Sequence, residues 1–481
     1  MRGAAAMHFS SHRRIKMTRR KLLITLPVVI MAVIMVMQLC GCAVGDELKS
    51  CSSASEVMDA FSADLFGEGE QEYTQLNVTL PRHSGYAPME EKWGYNSLEN
   101  DEERLAYESM EQALFRITEE DGGEYGEYQL CRAVIPKLDS IQVFMVKEAL
   151  EADHPEAFWF NGNYSFGRNY HDGLYVILYS SMSAEEIENG SQALTRRVSA
   201  VLKEIPSGLN EYDRELIIHD ILVRDIVYDH AAADNMDLAP EAGTVYGAFV
   251  EQRAVCSGYA LAAKLLLNRV GVSCITVSGF MHNDTENGHM WNLVCIDGNW
   301  YHLDVTNDDP TSYSTHNIRS YNYFNLTDSA IAVTHFVSPD FSQLNEETVQ
   351  WGDGASNFYN FPMPVCRSEK DNYYKKNAVA VTSLNDDGRR IIAEVMNRKI
   401  IEGENTIYLV FPSDMDPDVI SDWFNSFMYD EIDDINASNQ KSGNGCWIEN
   451  YTYAQGATEK WCNVFIIKLI TSGSMNAETN S

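Results

Sequence analysis

Apolar and polar positions change rhythm several times along this chain of 481 residues. An uncharged apolar run covers Leu22 to Leu39. Residues 43 to about 125 are acidic and turn-rich, with charged runs at Glu68–Glu72, Glu90-Glu91, Glu99–Glu103 and Glu119–Asp121. Within that stretch Leu105, Met110, Leu114 and Phe115 recur at helical spacing, which predicts a helix over Asn100–Ile117. A small α/β module follows from about Tyr128 to Ser181. It has a helix over Ile141–Leu150, a break at His154-Pro155-Glu156, and strands at Phe158–Phe160 and Leu174–Tyr179. Ser183–Ile205 and Tyr212–Val227 read as helices joined by Pro206-Ser207-Gly208.

The middle of the chain carries the most defined pattern. Ala260, Leu261, Ala262, Ala263, Leu265, Leu266 and Leu267 are strong helix formers, and Gly271 sits where a C-cap belongs, so a helix should start near Cys256. Strands are expected at Val272–Gly279, His289–Ile296 and Asn299–Thr306. Asp297-Gly298 between the last two is a type I′ hairpin signal. A two-residue turn pairs Ile296 with Asn299 and sets Trp291 opposite Asp304. His289, two residues from Trp291, then shares a sheet face with Asp304. Diagonal neighbours of this kind have Cβ atoms roughly 7–8 Å apart or slightly less, within reach of long side chains. A slip of one residue would separate them. Beyond residue 365, strands at Ala378–Thr382, Ile407–Phe411 and Val464–Leu469, with helices at Arg389–Met396 and Asp416–Phe427, give an α+β accessory domain.

Three residues in this pattern suit one chemistry. A cysteine is only a few per cent thiolate at neutral pH, and a helix N-terminus or a histidine neighbour raises that fraction. Cys256 has the first by position; His289 is a candidate for the second. Asp304 can fix the imidazole tautomer and stabilise its cation. Taken singly, Cys256 reads as a small buried hydrophobe, His289 as a structural strand residue and Asp304 as an edge or turn residue. The shared register favours the joint reading.

The formal net charge is −34, which argues against nucleic acid and against charge-driven binding to anionic lipid. It suits solubility outside the cell and could also draw cationic partners. Arg13, Arg14, Lys16, Arg19, Arg20 and Lys21 precede the apolar run, the layout of a secretory signal. Its end, Leu39-Cys40-Gly41-Cys42, resembles the lipobox of bacterial lipoproteins, implying cleavage before Cys42 and lipidation of that thiol. A membrane-spanning helix is the alternative. With Cys40, Cys42 and Cys256 set aside, Cys51, Cys131, Cys274, Cys295, Cys366, Cys446 and Cys462 remain, an odd set with no disulfide framework. His282, His289, Cys274 and Cys295 have no recognised zinc spacing, so no metal and no cofactor is expected.

From about Tyr212 to Phe336 the chain resembles the transglutaminase-like superfamily of papain-fold cysteine enzymes, in its bacterial extracellular branch. The matching segments are Ile218-His219-Asp220, Tyr228-Asp229, Tyr246–Val250, Ala254–Ala260, Gly288–Val294, Trp300–Thr306, Asp309-Pro310 and Tyr323–Leu326. The resemblance implies Cys256 as nucleophile, His289 as general base and acid, and Asp304 as orienter. It implies an α+β fold, with a papain-like core in which the cysteine helix packs on an antiparallel sheet bearing His289 and Asp304. The chain departs from the branch at Asn307, where an aromatic residue is usual, and at Gln252, where glycine is usual. Gln252 is a candidate oxyanion donor or a solvated loop side chain. Trp291 is a candidate cleft wall or core residue. His219 belongs to the matching segments and has no assigned chemistry.

The expected organisation is a signal with lipobox over 1–42, an acidic tether and helical segment over 43–125, and a small α/β module over 126–190. The catalytic core follows over 191–345 and a C-terminal α+β domain over 346–481. The expected function is cysteine-dependent acyl transfer at the cell surface, on peptide or glutamine side-chain amides. The protein is expected to be lipid-anchored on the extracellular face of the bacterial membrane, or secreted, or held by an N-terminal helix. Its partners would be protein or peptide substrates, some of them in the cell wall. Water as acceptor gives a protease, amidase or deamidase; an amine gives a cross-linking transglutaminase. The triad alone leaves these open. The alternative is a non-catalytic binding or scaffolding lipoprotein, because folds host unrelated functions. A metal-dependent hydrolase lacks the ligand spacing.

Overall fold

Local capping and two-residue alternation set most element ends in the computed structural model, which describes residues 73–89, 92–121, 128–168, 174–309, 319–344, 359–443, 446–455 and 462–472. The expected signal, Cys42 and the tether up to residue 72 lie outside the described residues. No helix among the described residues is long and apolar enough to cross a membrane. The architecture is mixed α+β with several sheets. The described chain divides into two units, residues 73–80, 92–196 and 341–344 in one, and the remainder in the other.

The first unit contains β1 (Thr74–Gln75), α1 (Trp93–Ser97), α2 (Asp101–Leu114), β2 (Arg116–Asp121), β3 (Tyr128–Leu130), β4 (Ala133–Ile135), α3 (Ser140–Asp153), β5 (Phe160–Arg168), β6 (Leu174–Ser180) and most of α4 (Ala184–Glu204). Its sheet runs β1-β2-β3-β6-β4, with β5 also on β6. Strict alternation in β6 buries every second residue, as its sequence predicts. Asn100 caps α2 by accepting from Glu103 N, and Asp139 and Gln142 form a capping box on α3. Two of the expected boundaries can be placed on these elements. The one at 125 falls between β2 and β3, which pair through Ile117 and Leu130, and the one at 190 falls inside α4. The hairpin β2–β3 joins the end of the acidic stretch to the module's sheet.

The second unit continues with α5 (Glu211–Asp225), β7 (Val227–Tyr228), α6 (His230–Asp234), β8 (Arg253–Ala254), α7 (Cys256–Arg269), β9 (Cys274–Met281), β10 (Asp284–Ile296) and β11 (Asn299–Leu303). Then come α8 (Val305–Asp308), β12 (Phe324–Leu326), α9 (Asp328–Ile331) and β13 (His335–Val337). The sheet order is β12-β11-β10-β9-β13. The hairpin register is the expected one: Ile296 opposes Asn299 and Asn292 opposes Leu303. Asp297 and Gly298 take φ of 49° and 78°, as a type I′ turn requires. Helix α7 lies on β9 and β10. Ala262, Ala263, Leu266 and Leu267 are fully buried, and Asn292 Nδ2 donates to Ala260 O at 2.9 Å. Each buried leucine contributes roughly 1.5–3 kcal/mol. Gly271 ends the helix at φ 75°.

The C-terminal part has α10 (Tyr373–Asn377), β14 (Val379–Ala380), α11 (Asp386–Ile401), β15 (Thr406–Pro412), α12 (Pro417–Asn425), α13 (Met428–Ser442), β16 (Ile448–Gln455) and β17 (Cys462–Thr471). Its sheet, β14-β15-β17-β16, buries Leu409, Phe411, Phe465 and Ile467 against Ile392, Met396 and Phe424. It has its own core yet belongs to the same unit as the five-stranded sheet β12-β11-β10-β9-β13. The residues ahead of β14 tie the two: Tyr301 Oη donates to Asp371 Oδ2 at 3.0 Å, and Asn377 Nδ2 to Tyr212 Oη at 2.7 Å.

Candidate active site

Cys256 is the first residue of α7. The strand residues before it pair parallel with β7, and Val255 N donates to Ala242 O at 3.0 Å, which turns the chain into the helix. Val255 cannot cap with its side chain, so the first-turn N–H groups have no side-chain acceptor. Gly258 permits the approach of this turn to the segment before it: a Cβ there would lie 2.5 Å from Ala242 O. The thiol therefore sits at the positive end of a helix whose N–H groups remain available to an anion.

His289 on β10 and Asp304 at the end of β11 lie on one face, with Nε2 2.7 Å from Oδ2. Nε2 is thus turned to the carboxylate, which leaves Nδ1 as the nitrogen for the Cys256 thiol, to which the ring is hydrogen-bonded. The expected strand over Asn299–Thr306 stops at Leu303, because the Asp304 carboxylate accepts from Asn307 N at 3.2 Å and so caps α8. That cap restrains the Oδ1 side of the carboxylate.

The charges follow from these contacts. Burial pushes the Cys256 thiol up, but the hydrogen bond and charge of His289, with the Met290 N–H, outweigh it and leave the thiol below its ordinary value. Burial pushes His289 down; the Asp304 charge and hydrogen bond, with the thiol, carry it up to about 10. Asp304, although fully buried, is held well below the carboxylate range by His289 and by a second histidine, His335. The three shifts act together in favour of a thiolate–imidazolium pair over an ionised aspartate. Cys131 contrasts with it: burial pushes that thiol up to about 11, and burial raises Cys274 and Cys366 further. Tyr228, raised to about 12 by burial and by the charges of Cys256, Asp304 and Asp284, stays a neutral hydroxyl beside the site.

The weaker sequence candidates take other places. Gln252 is exposed at φ 55°, ψ 30°, and one of its two Nε2 hydrogens goes to Asp225 O at 3.1 Å. The left-handed backbone is the physical reason a glycine suits that position. Trp291 is 1% exposed and is a packing residue, not a cleft wall. Its ring stacks on His289 at 5.8 Å and 21°, and its Nε1 donates to His302 Nδ1 at 2.9 Å. His219 is fully buried between Asp220 and Asp308, at 3.1 and 3.3 Å. Its carboxylate neighbours hold it up at about 9 against burial, and it serves as an internal ion pair.

Among the described residues, two groups bring three ligand-type atoms within 4.8 Å: His289, Asp304 and His335, and His302, Asp328 and Cys366. In the second, Trp291 donates to His302 Nδ1, so Nε2 carries the proton that Asp328 Oδ1 accepts at 3.1 Å. A metal at Nε2 would require an imidazolate, and the group fits hydrogen bonding better. In the first, donors already fill the carboxylate oxygen.

Sequence reasoning missed His335 and Asn307 as neighbours of Asp304. Asn307 Nδ2 donates to Asp304 Oδ2 at 2.6 Å. Its three-residue separation from Asp304 was the available signal; His335 had none locally.

The sequence profile of the Transglutaminase-like superfamily matches residues 199–305, a span that includes Cys256, His289 and Asp304. No curated protein matches the chain. Among solved structures, a TGase matches at 14% identity over 38% of this chain and 53% of its own, with a TM-score of 0.22. The chain thus spans about half the length of that TGase. A protein from Cytophaga hutchinsonii described as a candidate cysteine protease matches at 12% identity, over 39% of this chain and 69% of its own, with a TM-score of 0.20. The periplasmic domain of TgpA from Pseudomonas aeruginosa, bound to ethylmercury, matches at 12% identity over 51% of this chain and 93% of its own, with a TM-score of 0.12.

Proposed function

We propose that this protein is a cysteine-dependent acyl-transfer enzyme acting on peptide or glutamine side-chain amides. The observation that supports it most is the continuous chain from the Cys256 thiol through His289 to Asp304, with the 2.7 Å contact at its far end and a helix N-terminus at its near end.

The thiolate attacks the amide carbonyl carbon and forms a C–S bond, while the carbonyl π electrons move to oxygen. First-turn N–H groups of α7 supply donors to that oxyanion in this reading. Collapse restores the carbonyl and breaks the C–N bond, and His289 gives its Nδ1 proton to the departing nitrogen. Ammonia or an amine leaves and a thioester remains. An incoming water or amine attacks the thioester as neutral His289 takes its proton. Expulsion of the thiolate then restores the starting ion pair. Asp304 holds the ring by Nε2 in both halves and stays ionised.

In this reading water is the default acceptor, and the enzyme works outside the cell, tethered through a lipid on Cys42. The test uses the full-length chain in mild detergent. Iodoacetamide at neutral pH should alkylate Cys256 roughly tenfold or more faster than Cys131, and His289→Ala should abolish the difference. Glutamine peptides with and without a fluorescent amine then separate ammonia release, amine incorporation and peptide cleavage. Equal alkylation of all cysteines would leave a binding scaffold as the better account.

A further inference from the structure

A second histidine reaches Asp304 from a strand outside the hairpin. His335 opens β13, which pairs antiparallel with β9 through His335 and Met281. Its Nε2 lies 2.9 Å from Asp304 Oδ2, the oxygen that also accepts from His289 Nε2 at 2.7 Å and from Asn307 Nδ2 at 2.6 Å. Its Nδ1 lies 2.8 Å from Thr334 Oγ1. The residue is 2% exposed, with its ring edge-on to Trp291 at 4.9 Å and to Tyr323 at 5.3 Å.

We infer that His335 is a positioning residue for the proposed acyl-transfer site: it pins the Asp304 carboxylate in the orientation that holds His289 toward Cys256. The inference rests on the triad reading above.

The proton location follows from the contacts. Two lone pairs facing each other at 2.9 Å would repel, so Nε2 of His335 must carry hydrogen and donate to the carboxylate. Nδ1 at 2.8 Å is the nearer acceptor for the Thr334 hydroxyl, with Ile331 O at 3.5 Å the weaker one, and this favours the tautomer with hydrogen on Nε2. A leucine would fill the space between Trp291 and Tyr323 at less desolvation cost than an imidazole. Here both ring nitrogens are used, and one of them reaches the acid of the triad. The carboxylate can rotate about its Cβ–Cγ bond. The Asn307 N–H restrains Oδ1 at 3.2 Å, while His335 and Asn307 approach Oδ2 from elements other than β10. Loss of the His335 donor frees Oδ2 to follow other partners. His289 then loses its fixed anion, the imidazolium is less favoured, and the Cys256 thiolate forms only at higher pH.

The experiment measures Cys256 alkylation by iodoacetamide in the full-length chain from acid to mildly alkaline pH, with Cys131 as internal reference. His335→Leu keeps the volume and removes the donor. It should slow Cys256 alkylation at neutral pH roughly 10-fold to 100-fold, the loss expected for one hydrogen bond to a buried charge, and move the pH midpoint up. His335→Gln places an N–H near the Nε2 position and should recover the rate to within about threefold, because the donor is what the carboxylate lacks. A packing role predicts the reverse order, with leucine the better replacement. Thr334→Val and Thr334→Ser form a second pair that keeps His335. The valine removes the hydroxyl that favours this tautomer and should slow the reaction several-fold, and the serine should restore it. If His335→Leu matches His335→Gln in rate and midpoint, or if the two Thr334 variants react at equal rates, the inference is overturned. If Cys256 in the unaltered chain reacts no faster than Cys131, the acyl-transfer reading itself fails, so the two failures are distinct.

Discussion

Asn307 donates its side-chain amide to Asp304 Oδ2 at 2.6 Å, from the first turn of the short helix that Asp304 itself caps. The same nitrogen lies 3.3 Å from His289 Nε2, so Asn307 sits over the contact between base and acid. Asn307→Ala should lower Cys256 reactivity by roughly 3-fold to 10-fold, less than loss of the His335 donor, because Asn307 is only half-buried and water can take the place of its amide. Asn307→Asp should cost more, since it sets a second carboxylate where a donor stood. Rates of thiol alkylation in the two variants check the order. An aspartate variant as fast as the alanine variant would show that the amide does not act on Asp304.

Asp304→Asn should leave the sheet intact but disable the site. An asparagine has one acceptor oxygen, whereas the carboxylate meets donors from His289, His335 and Asn307 on one oxygen and the Asn307 N–H on the other. One donor must then face an NH₂ group, at a cost of about 1–3 kcal/mol in stability. The imidazolium also loses its counter-charge. Turnover, or thiol alkylation in its place, should fall by roughly 10²-fold to 10⁴-fold, in line with triad acids replaced by amides. Unchanged reactivity would refute the orienting role.

Gln252→Gly tests a different reading. Gln252 adopts a left-handed backbone that costs a non-glycine residue about 1–2 kcal/mol, partly offset by the Nε2 contact to Asp225 O. Glycine should stabilise the chain by roughly 0.5–1 kcal/mol and leave Cys256 reactivity unchanged. A marked loss of reactivity would return Gln252 to the site as an oxyanion donor.

The parts of this site that could be read from sequence are the ones specified locally. The Ala/Leu run and Gly271 place the start of α7 at Cys256, and Asp297-Gly298 fixes the register that brings His289 to Asp304. The alternation in β10 gave Trp291 its face but not its partner, because His302 Nδ1 is set by side-chain geometry across the hairpin. Asp304 read as a strand residue since capping by Asp with Asn three residues later competes with strand pairing only once the chain is folded. His335 had no local signal. It joins through an edge strand added to β9 after an intervening turn, and such non-local pairing leaves no period in the sequence. Acidity and turn content likewise do not reveal that β2 pairs with β3 across residue 125.

Glu215 offers a pH test remote from the thiol. It is fully buried on α5; its Oε2 accepts from Asn325 Nδ2 at 2.8 Å, and its Oε1 has no partner among the described residues. Burial pushes it up to about 8, with the Asn325 hydrogen bond and the His219 charge opposing. A carboxyl raised in this way is protonated in the folded chain and ionised in the unfolded one between its ordinary value and about 8. The folded state therefore holds the extra proton, and the stability it confers is complete below about pH 4.5 and drains away as pH rises through about 8. Glu215→Gln keeps an acceptor for Asn325, has no proton to lose and should remove this slope. Other raised groups, His219 and His289 among them, titrate over part of the same range, so the informative quantity is the difference between variant and unaltered chain in urea unfolding at each pH. That difference should move in favour of the glutamine by a few kcal/mol, as an order of magnitude, between about pH 5 and 8. A flat difference would mean that Glu215 is ionised in the folded chain at neutral pH, with its charge balanced by His219 or Lys376 rather than relieved by a proton.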